Sequence, residues 1–360
     1  MKPLALDKSY VLDILGRLLN TPSPSGFTDR VVALVCEELD RLQVPFELTR
    51  RGAVRATLQG ERRTPDRALA AHLDTLGAMV KELKPNGRLR IAPVGHWNAR
   101  FAEGARVTVF TDGGESFRGS ILPMKASGHT FGPEIDDQPC SWEHVEVRVD
   151  ARFENADDLR QAGIQVGDFI AVDTNLEIND NGYINSRHLD DKAGVAVLLG
   201  TVQAVQAAKR DNGLTLPVDC HVIFTITEEV GAGASAVLPP SVAEMVSVDN
   251  GTNAPGQNSR EFGATLAMAD MTGPFDYHLT RHLQRLCETH SIDFQRDVFR
   301  YYRSDNATAL EAGNDVRTAL VCFGIDASHG YERIHWNALE SLIALLGAYV
   351  QTPPLNPAGA

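Results

Sequence analysis

Several protein classes are excluded by what this chain has little of. Its five cysteines (Cys36, Cys140, Cys220, Cys287 and Cys322) are odd in number and widely scattered, with no CxxC spacing. Neither a disulfide framework nor a thiolate zinc site is therefore expected, and a reducing, cytoplasmic compartment fits. No eighteen apolar residues run together, so no transmembrane helix is expected. Basic residues are in deficit: 34 Lys and Arg against 47 Asp and Glu leave a formal charge of −13. That balance argues against a nucleic acid or an anionic membrane as partner and makes a cation the more natural ligand. Internal repeats and low-complexity tracts are also missing.

What remains is the composition of an ordinary globular protein, 43% hydrophobic and 22% charged. At 360 residues it exceeds what one hydrophobic core normally serves, so two domains or a large insertion are expected. The opening MKPLALDKSYVLDILGRLLN sets Asp7 and Asp13 among apolar residues with no small-residue cleavage site after them. It predicts an amphipathic helix rather than a secretory leader. A second helical pattern, FTDRVVALVCEELDRL, follows the turn-rich TPSPSG, and ALAAHLDTLGAMV is an apolar run interrupted by His72 and Asp74.

From about residue 80 to 180 the pattern changes to short alternating runs such as GRLRIAPVG, ARVTVFTDG and EHVEVRVDA, separated by Gly, Asn and Asp turns. One short helix starts there at the N-cap Asn155. Helix and strand patterns then alternate from about 185 onward, as in an open, largely parallel sheet. The expected organisation is an α/β domain formed by 1–80 plus 181–352, an inserted β-rich module over 81–180, and a disordered tail over 353–360.

Five polar stretches close apolar runs in the α/β part, where open sheets place ligand sites: AHLDTL, RHLDDKAG, TEEVG, SVDN and ASHGYE. His72 and Asp74, two apart, share a strand face, which suits an imidazole ligand supported by a carboxylate. Asp190 and Asp191 open a helix; one could cap it, leaving the other to be explained. Glu228 and Glu229 would face opposite ways on a strand unless the chain has already turned. Asp249 and His329 each follow an apolar run. Taken singly, a core histidine, a cap, a solvated strand end and a turn aspartate are ordinary. Together they supply oxygen and imidazole ligands without sulfur, a set suited to two divalent ions sharing one carboxylate.

The ordered segments AHLDT, NSRHLDDKAG, ITEEVG, SVDN, YRSDNATALEAG and SHGYE resemble the co-catalytic di-metal aminopeptidases, the tetrahedral, glutamyl or deblocking aminopeptidase family. The resemblance covers nearly the whole chain. It implies a zinc-aminopeptidase-like α/β fold with an inserted, barrel-like dimerisation module. It also implies two divalent ions per subunit (Zn, with Co or Mn as alternatives), a short peptide substrate, and homo-oligomers in which dimers assemble to a dodecamer. By the same resemblance Asp190 bridges the ions, and His72, Asp249, Glu229 and His329 are the remaining ligands. Glu228 is then the general base, Asp74 supports His72, and Asp191 shares a strained peptide bond with Asp190. The family more often carries an Arg-Tyr-x-His-Ser-Pro segment where this chain has IDASHGYERIH; His329, which directly ends an apolar run, is preferred over His335. Segments such as DASHGYER look like the subgroup associated with the osmolyte N-acetylglutaminylglutamine amide, which implies a deacylase or dipeptidase alternative. Glycoside hydrolysis, which needs two carboxylates and no metal, and a non-catalytic assembly protein are the other rivals.

Overall fold

Four strands are apolar on both faces, and such strands are stable only when covered on both sides. They are the centre of the larger sheet in the computed structural model, which describes residues 4–355. The first strands are β1 (Phe46–Leu48), β2 (Val54–Leu58) and β3 (Arg62–His72). A second set is β4 (Gly77–Leu83), β5 (Leu89–Val94), β6 (Arg106–Phe110), β7 (Ser116–Pro123), β8 (Val145–Val149) and β9 (Phe169–Val172). A short pair, β10 (Glu177–Ile178) and β11 (Tyr183–Ser186), precedes β12 (Val218–Thr225) and β13 (Val242–Thr252). The remainder are β14 (Ala264–Asp270), β15 (Gly273–Pro274), β16 (Phe294–Val298), β17 (Arg317–Ile325) and β18 (Glu332–His335).

The larger sheet runs β1-β2-β12-β3-β13-β17-β14-β15, with β16 beside β14. β12, β3, β13 and β17 are mutually parallel, and antiparallel strands flank them on both sides. Helices cover the sheet. The long helix Leu189–Asn212 is buried over most of its length and packs on β3, β13 and the helices Lys8–Leu19 and Trp336–Tyr349. The fold is thus the expected mixed α/β sheet with an inserted barrel: β4-β5-β8-β7-β6-β9 close on themselves as an antiparallel barrel with its own core around Val107, Ile121, Val147 and Ile170. Among the described residues no helix is long and apolar enough to cross a membrane.

The run ALAAHLDTLGAMV, read as one apolar stretch, serves both cores. Its first half ends β3 at His72 and its second starts β4 at Gly77. Gly77 is needed at the crossing, because a Cβ there would lie 2.6 Å from Pro24 Cβ and 2.8 Å from the Ile170 carbonyl oxygen. The helix Ala156–Gln161 starts at Asn155 as expected, with a reciprocal capping box to Asp158. Of the tail expected to be disordered, 356–360 lie outside the described residues. Leu355 packs against the main core, and its N–H donates to Glu244 at 2.5 Å.

Candidate metal centre

β3 and β13 lie side by side in parallel, and loops leaving β12 and β17 return over their C-terminal ends. This places His72, the last residue of β3, near Asp249 of β13. Asp249 does not close its strand, which continues to Thr252. β12 ends at Thr225, so Glu228 and Glu229 lie beyond the strand, in a turn where both carboxylates can face one space. The helix at Leu189 begins with His188 in the left-handed region, φ 65°, and Asp190 and Asp191 follow with non-helical angles across a cis peptide bond. The N-cap position falls on His188 with no side-chain cap hydrogen bond, and both aspartate carboxylates are turned to other partners. Asp190 faces inward, and Asp191 accepts the backbone N–H of His72 at 3.0 Å.

Two groups of three potential ligands result, each with its ligand atoms within 4.8 Å of one another: His72, Asp190 and Asp249, and Asp190, Glu229 and His329. Asp190 belongs to both. Its Oδ1 lies 3.2 Å from His72 Nε2, and its Oδ2 lies 3.2 Å from His329 Nε2. Glu228 stands beside the groups, with Oε2 3.8 Å from His72 Nε2.

Both imidazoles are oriented through their other nitrogen. His72 Nδ1 is 2.8 Å from the backbone carbonyl of Asp74, and His329 Nδ1 is 2.9 Å from that of His96 in the loop after β5. With these nitrogens donating, each Nε2 points at Asp190: it donates to that carboxylate while the ring is protonated and would offer a lone pair to a cation once the ring is neutral. The barrel thus orients one histidine of a site that otherwise belongs to the larger sheet. The expected carboxylate support of His72 is corrected here. The Asp74 carboxylate is 3.7 Å from Nδ1 and accepts instead from Ser25 Oγ at 2.5 Å and from the N–H groups of Glu228 and Glu229 at 3.1 and 3.2 Å. It holds the turn that presents the two glutamates. His335 lies elsewhere, capping the helix Trp336–Tyr349 and bonded to the Asn181 carbonyl.

Asn250, Glu332 and Tyr302 were not assigned from sequence. Asn250 Nδ2 donates to Asp190 Oδ2 at 2.8 Å and to Asp249 Oδ1 at 3.1 Å. Glu332 accepts the N–H groups of Asp190 at 3.2 Å and His329 at 2.8 Å. Tyr302 faces Asp249, its buried hydroxyl closing no hydrogen bond of ordinary geometry. Each sits inside or beside a quoted motif (SVDN, SHGYE, YRSDN), yet no spacing rule singles it out.

The electrostatics fit a bound cation. Burial, then the Asp190 charge, pushes Glu229 up to about 8 and Asp249 up to about 7. Burial also raises Glu228 well above the usual carboxylate range. Burial opposes ionisation of Asp190 too, but hydrogen bonds from His329 and His72 overcome it and hold this carboxyl low. Carboxylates this crowded and buried cannot all ionise without added positive charge. Glu229 Oε1 is buried without a hydrogen-bond partner, and oxygen with imidazole nitrogen is the donor set of borderline divalent metals.

The M42 glutamyl aminopeptidase family matches residues 52–345. The chain belongs to this family. It is 36% identical over 342 residues to the Bacillus subtilis protein YhfE, named as an aminopeptidase, covering 95% of this chain and 97% of that one. It is 30% identical over 173 residues to the glutamyl aminopeptidase of Lactococcus lactis, 47% and 45% of the two chains. In fold it is similar to the Pyrococcus horikoshii TET1 peptidase, with TM-score 0.83, 21% identity, and 95% of this chain and all of that chain (100%) covered. The family makes this protein a metal-dependent aminopeptidase.

Gly194 illustrates how closely the centre is packed into the helix start. A Cβ there would lie 2.1 Å from Asp191 Oδ1, and Asp191 in turn holds His72. Gly194→Ala should destabilise the fold by about 1–3 kcal/mol, the usual cost of overpacking, and lower the melting temperature. An unchanged melting curve would show that Asp191 can move freely.

Proposed function

We propose that His72, Asp190 and Asp249 hold one divalent cation and that Asp190, Glu229 and His329 hold a second, with Glu228 carrying the proton in peptide hydrolysis. The sharing of Asp190 by two ligand groups beside a free glutamate is the observation that carries this reading. Divalent cations bound there supply Lewis acidity toward a carbonyl oxygen and bring the pKa of a water toward about 7.

The chain's own residues do the rest. Glu228 accepts the proton of the attacking water and delivers it to the departing amine. Asp74 keeps Glu228 and Glu229 on one turn by accepting both of their N–H groups. Asn250 and Glu332 fix Asp190 and the backbone of His329. The inserted barrel, beyond orienting His329, is the surface we assign to subunit pairing, and the dodecameric and tetrahedral assemblies of fold neighbours support a homo-oligomer.

Paired peptides, one with a free N-terminal amine and one acetylated, test the reading in Zn, Co or Mn. The free-amine peptide should be cleaved, chelation should stop cleavage, and readdition of a divalent ion should restore it. Cleavage that survives exhaustive chelation, or cleavage of the acetylated peptide alone, would contradict the aminopeptidase chemistry.

A further inference from the structure

The ligand groups open into a cavity of about 600 Å³, and its remaining wall has a definite chemical character. Val230 follows the glutamate pair, Met271 lies at the turn between β14 and β15, and Tyr301 lies after β16; all three line the cavity. They are 52%, 56% and 82% exposed, so three large side chains with apolar faces border the opening, Tyr301 with the Arg300 guanidinium 5.0 Å from the centre of its ring. The one arginine or lysine in the lining is Arg303, and its Nη2 is 2.6 Å from Glu311 Oε2. Apart from the ligand groups and Glu228, the lining offers no carboxylate.

We propose that this cavity selects peptides whose N-terminal residue has a large apolar side chain, over acidic and basic ones, with Val230, Met271 and Tyr301 as the selecting wall. The inference rests on the reading that the scissile bond lies over the ligand groups. Beyond the metal ligands, an acidic side chain would find the one arginine of the lining already paired with Glu311 and the nearby Arg300 stacked over Tyr301, and it would approach a chain of net charge −13. A basic side chain would find no carboxylate beyond those engaged at the centre. An apolar side chain loses nothing to unpaired charge and removes the exposed wall from water.

The test compares kcat/KM for leucyl, methionyl, glutamyl and lysyl 4-nitroanilides on the metal-loaded protein. Affinities of free leucine and free glutamate for metal-loaded Glu228→Gln provide a second arm. The leucyl and methionyl substrates should exceed the glutamyl one by about tenfold or more, a modest discrimination for an apolar pocket, and leucine should bind more tightly than glutamate. Met271→Lys should shrink the leucyl-to-glutamyl ratio. Glutamyl turnover equal to or above leucyl would overturn the proposal, as would an Arg303→Gln variant that loses glutamyl turnover alone. If no substrate turns over but leucine still binds more tightly, the hydrolytic reading fails while the selectivity stands; equal binding of the two overturns the selectivity itself.

Discussion

Glu228→Gln should lower kcat by about a hundredfold or more, the scale of a lost general base, while leaving the metal content unchanged. Glu228 lies outside both three-residue ligand groups yet within 3.8 Å of His72 Nε2, so its carboxylate can reach a water at the centre without being needed to hold a cation. Glutamine keeps the volume and removes the proton acceptor. The N–H groups that Asp74 accepts belong to the backbone and survive the change, so the turn should hold its shape. Steady-state kinetics combined with elemental analysis decide the matter. Full turnover in a metal-replete variant would remove Glu228 from the mechanism, and loss of metal together with activity would make it a ligand instead.

Asp190→Ala should empty the whole centre rather than half of it. Asp190 presents one oxygen to each group, Oδ1 toward His72 and Oδ2 toward His329. Removing it leaves His72 with Asp249 and Glu229 with His329, two ligands each. A site with two protein ligands binds a divalent ion far more weakly than one with three or four, so elemental analysis should find bound metal falling toward zero and activity falling with it. His72→Ala should be the milder lesion by the same logic, since the group of Asp190, Glu229 and His329 stays complete. Asp190→Ala protein that keeps two ions after dialysis would show that the carboxylate is not shared.

The alternation of apolar runs with polar stretches anticipated where most candidate residues stand relative to the strands. His72 ends β3, Glu228 and Glu229 follow β12, and His329 follows β17. These positions were legible because a parallel sheet puts the C-terminal ends of its strands on one edge, so a polar residue just after an apolar run lands there. The β-rich segment was legible for a similar reason, since alternation with frequent turns is a local signal. The supporting contacts were not. That Asp74 bonds to the glutamate backbone instead of His72, or that Glu332 accepts from Asp190, depends on side-chain directions across separations of 142 to 154 residues. Helix-start statistics left one question open: one of the two aspartates before the apolar helix could have capped it, whereas the chain enters this helix through His188 with φ above zero and turns both aspartates to other partners.

By itself the sequence determined the kind of protein this is: an α/β chain with a β-rich insertion, poor in cysteine, and carrying carboxylate and imidazole side chains near the ends of its apolar runs. Residue type and periodicity suffice for that, because each reflects a local preference. The tertiary structure alone decided which oxygen Asp190 presents to each group of potential ligands, that a carbonyl of the inserted segment orients His329, and that the cavity wall is largely apolar with its arginine already paired. Those outcomes depend on which atoms lie within a few ångströms of each other, and strand order and loop path set that distance.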